Sequence, residues 1–202
     1  MKLLRLFSSI LFILIIANCF AAADEVPLFH PVSGEGYQIK DGKIFLRSSN
    51  AGLILELATE RSIANYYLDR GIQLGNPFRD MGGGQLSPEI FIITFLNRGK
   101  GTISFTPSYV VMKSKNETFF PMNFGELWDF ISNLDPPIQR VMQKSIYHSP
   151  ENVRPGDIIT KLLIFPAIPH KMNDFTLEFD FLYLENHEMR PVFYFRSSEK
   201  KK

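Results

Sequence analysis

Apolar and polar positions alternate most regularly over residues 175–184. Phe175, Leu177, Phe179, Phe181 and Tyr183 fall on one face, with Thr176, Glu178 and Asp180 on the other. A period of two marks a strand with one buried face, so this stretch is predicted as a single strand. Residues 89–96 are apolar, β-branched or aromatic at nearly every position, the pattern of a strand covered on both faces. Shorter β patterns cover 43–47, 53–57, 102–106, 109–113, 117–121, 158–165 and 192–196, with turn residues at 48–52, 97–101, 114–116, 153–157 and 186–190. Residues 24–42 are rich in turn formers (Pro27, Pro31, Gly34, Gly36, Asp41-Gly42) and are predicted as a loose leading segment.

The period shifts to helical in two places. Thr59 stands where it can cap a short helix over about 60–69, with Ile63, Tyr66 and Tyr67 on one face and Gly71 ending it. Asn123 can cap a helix through Trp128 to Ile131. Asp135-Pro136 has the form of a cap and first-turn proline for a second helix, on which Ile138, Val141, Met142 and Ile146 line one side. Some eight strands without β–α alternation predict an all-β fold, an antiparallel sandwich. The helical insertion, about 124–146, is expected at an edge or over one end of it. A loop over 74–87 contains Gly82-Gly83-Gly84. A strand follows those glycines rather than a helix, which argues for a flexible loop over a phosphate cradle.

Several features recur between residues 89 and 195. A strand ends in Asn (Ile92-Ile93-Thr94-Phe95-Leu96-Asn97), followed by Ile103-Ser104-Phe105 and a hairpin. Pro155-Gly156 then precedes a strand ending Leu163-Ile164-Phe165, and two closing strands follow. In these features the stretch resembles the immunoglobulin-like (telokin-like) domains of bacterial envelope proteins and lipoproteins. The resemblance implies an immunoglobulin-like β-sandwich and an exported setting, and brings no catalytic residue with it. The helices and the first part of the chain depart from the simple domain.

At the start of the chain, Lys2 and Arg5 precede a nearly unbroken apolar run over about 6–17, then Ala21-Ala22-Ala23 and the acidic pair Asp24-Glu25. A positive end, a short apolar core and small residues at a cleavage point are the parts of a secretory signal. The expected organisation is a signal peptide over 1–23, one β-sandwich domain over 24–198 and a basic tail over 199–202. A retained anchor would need roughly 20 apolar residues. A second reading places a lipobox at Ile16-Ala17-Asn18-Cys19, with lipid on Cys19; Asn18 departs from that pattern. Membrane contact is expected only through such a lipid. The expected location is the periplasm or cell envelope.

Charge narrows the partners. The chain has 22 basic and 21 acidic residues, and without Lys2 and Arg5 the balance is 20 against 21. With no basic surplus, nucleic acid is not an expected partner. Cys19 is the only cysteine, so cleavage after Ala23 leaves no thiol for catalysis or for a metal cluster. No Gly-x-Ser-x-Gly is present, and the four histidines (His30, His148, His170, His187) fall in predicted loops or turns. Two His-x-Met pairs, His170/Met172 and His187/Met189, have the soft ligand chemistry of a Cu(I) site. They flank the 175–184 strand and so stand about 30 Å apart at ~3.3 Å per residue, too far to share an ion. No cofactor is therefore expected. The remaining expectation is a non-enzymatic binding or structural module that contacts an envelope protein, with Trp128, Phe130 and Phe78 on the insertion and the 74–87 loop as contact residues. The alternatives are a periplasmic metal or small-ligand carrier and, third, a hydrolase with a triad assembled in space.

Overall fold

Hydrogen-bonded register sorts the strands into three sheets. The computed structural model describes residues 29–79, 81, 87–115, 117–168, 172–185 and 187–198. The predicted signal segment with Cys19, the run at 82–84, His170 and the 199–202 tail lie outside these residues. The first sheet has the order β1 (Phe29–Val32), β14 (Val192–Ser197), β11 (Asp174–Phe179), β7 (Val110–Lys113), β8 (Thr118–Phe119). The second runs β10 (Ile158–Phe165), β5 (Glu89–Asn97), β4 (Ala51–Leu57), β3 (Lys43–Ser48), β2 (Tyr37–Lys40). A smaller third sheet has the order β13 (His187–Met189), β12 (Leu182–Leu184), β6 (Ile103–Phe105), β9 (Glu151–Val153). Every ladder between these strands is antiparallel.

The first two sheets face each other across the main core. Phe91 of β5 meets Phe165 of its own sheet and, across the gap, Phe175 and Phe195 of the first sheet, at ring-centroid separations of 5.6–6.3 Å. All three contacts are edge-on, an arrangement that aromatic pairs favour. Ile103, Phe105, Val153, Leu182 and Leu184 bring the third sheet into the same core.

The near-continuous apolar run of β5 has the expected cause. Phe91, Ile93 and Phe95 enter the main core, while Ile90 and Ile92 point the other way into a second core. That second core is roofed by three helices: α1 (Glu60–Leu68), α2 (Phe124–Ile131) and α3 (Pro136–Ser145). Thr59 and Asn123 each close a capping box, with Ser62 and Glu126 respectively. Asp135 takes the cap position of α3 without a side-chain bond, and Pro136 begins the helix. The insertion thus lies over a sheet face, not at an edge or end. Leu127, Ile131, Met142 and Ile146 are apolar enough to need a partner surface, and β5 and β10 supply it through Ile90, Ile92, Leu162 and Ile164.

Three further expectations change. The 175–184 strand is two strands: β11 pairs in the first sheet and β12 in the third. The chain switches sheets at Asp180-Phe181, where Phe181 has φ +55°. The leading segment is ordered into β1 and β2 over the described residues, and Asp41-Gly42 makes a two-residue hairpin with both residues at positive φ. The predicted turn at 186–190 contains β13.

Candidate functional site

Helix α2 presents an exposed pair of stacked aromatic rings. Its inward face carries Leu127 and Ile131, both buried. A helix advances 100° per residue, so Phe124 and Trp128, four apart, share one flank. Their rings stack at 5.7 Å with an interplanar angle of 23°, and Phe124 also packs on His148 at 4.8 Å. Trp128 is 37% exposed and Phe124 42%. Glu126 and Asp129, exposed on the same helix, add acidic charge.

The other two predicted contact residues behave differently. Phe130 is half-buried against the second core. Phe78 is fully buried, between Tyr67 at 6.4 Å and Phe130 at 5.9 Å, and so is unavailable to a partner. A large apolar side chain on an irregular segment beside a helical roof is drawn under that roof, because burying it stabilises by about 1.5–3 kcal/mol. Phe124 and His148, which adjoin Trp128 in this cluster, are not among the contact residues that the sequence predicts. The i, i+4 spacing of Phe124 and Trp128 was the available signal for the first; nothing local marked His148.

The roof is fixed by a polar cluster. The Tyr66 hydroxyl lies 3.1 Å from the carbonyl oxygens of both Ser145 and Thr160. Arg70 donates to the carbonyls of Tyr66 and Thr160, and its guanidinium sits 3.5 Å over the Tyr66 ring. Burial pushes the Tyr66 phenol up to about 12 and the Tyr67 phenol higher, so both stay neutral donors throughout the physiological range.

No family model matches the chain, and neither a curated protein nor a solved structure does.

The remaining candidates are dispersed. Met172 lies just before β11, while His187 and Met189 lie in β13, before the start of β14. Val192 pairs with Glu178 at one end of β11, and Arg196 pairs with Asp174 at the other. Breaking the long strand therefore leaves Met172 and the His187/Met189 pair at opposite ends. Both methionines pack against the main core. Among the described residues no group of three His, Cys, Asp or Glu side chains is placed to hold a metal. His30 Nδ1 lies 3.3 Å from Ser198 Oγ at an exposed strand edge, and no described carboxylate bonds to the imidazole.

Proposed function

We propose that the protein is an exported, non-enzymatic binding module of the cell envelope, acting by protein–protein contact through the Phe124–Trp128–His148 surface. The observation that carries this reading is the stacked, exposed Phe124–Trp128 pair on a helix whose opposite face is anchored in a core. Exposed tryptophan next to other aromatics, on a rigid element, is the composition of an interface hot spot. Glu126 and Asp129 favour a partner with a basic rim. Export rests on the charge and hydropathy pattern of residues 1–23. The immunoglobulin-like relation of 89–195 is part of the same proposal; the antiparallel pairing of that stretch supports it.

Excising 123–147 would strip the second core, so the surface is tested by point substitution. The protein carrying Trp128→Ala, used as bait on an envelope extract, is expected to lose a partner captured by the unsubstituted protein while keeping its thermal midpoint. Equal capture by both, from a folded variant, would refute the assignment.

A further inference from the structure

The helical roof covers only part of the second sheet. Ile90, Ile92, Leu162 and Ile164 lie beneath it, whereas the end of the sheet nearest the β3–β4 turn is bare. Register defines what that end presents. Ile158, Leu96, Gly52 and Arg47 form one cross-strand row over β10, β5, β4 and β3. The next row carries Thr160, Thr94, Ile54 and Phe45. Arg98 follows two residues after Leu96, and its N–H bonds to the Asn50 carbonyl, which extends the β4–β5 ladder past Asn97.

Two depressions lie here. One, about 320 Å³, is lined by Phe45, Ile54 and Leu96 together with Arg47 and Arg98. The other, about 570 Å³, shares Phe45 and Ile54 and continues towards α1. Ile158, beside Leu96 in register, is 61% exposed. Gly52, the second residue of β4, puts no side chain between Arg47 and Leu96. A Cβ there would come within 3.2 Å of the Leu46 carbonyl oxygen. Arg47 and Arg98 have no ion-pair or side-chain hydrogen-bond partner among the described residues.

We propose that this bare end binds an anionic amphiphile, its acyl chain lying over Phe45, Ile54 and Leu96 and its carboxylate or phosphate head held by Arg47 and Arg98. An apolar floor alone would accept many occupants. The charge at its rim selects one: arginine forks match planar or tetrahedral oxyanions with paired N–H donors. This site is separate from the Trp128 surface and does not depend on it.

Isothermal titration of the protein purified from exporting cells, with dodecanoate, dodecyl phosphate and dodecyltrimethylammonium below their micellar concentrations, tests the inference. At least one of the two anions is expected to bind and the cation not; the tighter anion identifies the head group. The Arg47→Gln/Arg98→Gln double variant should weaken the anion at least tenfold with its thermal midpoint unchanged, and Ile54→Glu should do the same through the floor. Absence of binding by both anions, equal binding of the cation, or unchanged affinity in a folded double variant would overturn the proposal. So would a dimer in sedimentation that Ile158→Glu dissociates, because a second copy of the chain would then occupy the face.

Discussion

Glu89 opens β5 and points, like Phe91 two residues on, towards the side of the main core. Burial pushes its carboxyl up to about 7 from an ordinary 4.5. Between these values the folded protein keeps a proton that the unfolded chain releases, so the contribution of Glu89 to stability is fully present below pH 4.5 and is lost as pH rises to about 7. Glu89→Gln is expected to remove this slope; urea unfolding of both proteins across pH 4–8 should give a stability difference that grows over that window and then levels. Gly42 has φ +73° in the hairpin between β2 and β3. An alanine there must adopt the left-handed region, at a cost of about 1 kcal/mol in the same unfolding measurement. Asp41-Gly42 was readable as a turn, and an Asp-Gly pair is a strong signal for the two-residue hairpin it forms. Pro31, Gly34 and Gly36 interrupt the pattern over β1 and β2, so neither reads as a strand. Both strands are only four residues long and lie on sheet edges where weak β patterns suffice.

At the scale of elements, faces were legible as far as residue 179 and sheet membership was not; beyond the break the predicted face inverts, with Leu182 and Leu184 buried and Phe181 and Tyr183 exposed. The alternation through 175–179 puts Phe175, Leu177 and Phe179 inward, as the sequence predicted, because burial follows a period of two. Alternation stops at Phe181, because Phe181, Leu182, Tyr183 and Leu184 are all large and apolar, and so the pattern does not say which of them face inward once the ladder changes partner. The break uses no glycine or proline. Instead Phe181 takes φ +55°, 41% exposed, with its ring against Tyr109 at 5.1 Å and the Arg190 guanidinium 5.0 Å above it. The helices were legible from their caps and apolar spacing. Their seat on the second sheet was foreshadowed only by the two-sided run of β5. Phe78 belongs to this level too: it joins the 74–87 loop to the roof. Phe78→Ala is predicted to lower stability by about 3–5 kcal/mol, the range for a buried aromatic deletion, as read by chemical denaturation. A change below 1 kcal/mol would mean that the loop is not held by this ring.

The whole molecule is layered asymmetrically. The first sheet has one face in the main core, and its other face carries Tyr194, Arg196, Thr176, Glu178 and Lys113 outward. The second sheet has one face in that core and part of the other under the helical roof. The candidate contact surface therefore stands on the helical side, and the bare face of the first sheet on the opposite side of the layers. No sequence motif announced this, since Trp128 gains its exposed, stacked setting from where α2 is seated. The layering also makes the functional reading directional: a partner that docks on the helices does not touch the far sheet. Photocrosslinking in exporting cells, with benzoylphenylalanine placed in turn at positions 128 and 194, reads that direction. The predicted result is a discrete adduct from position 128 and none from position 194. No adduct from 128, or equal adducts from both, would contradict contact through the helical surface.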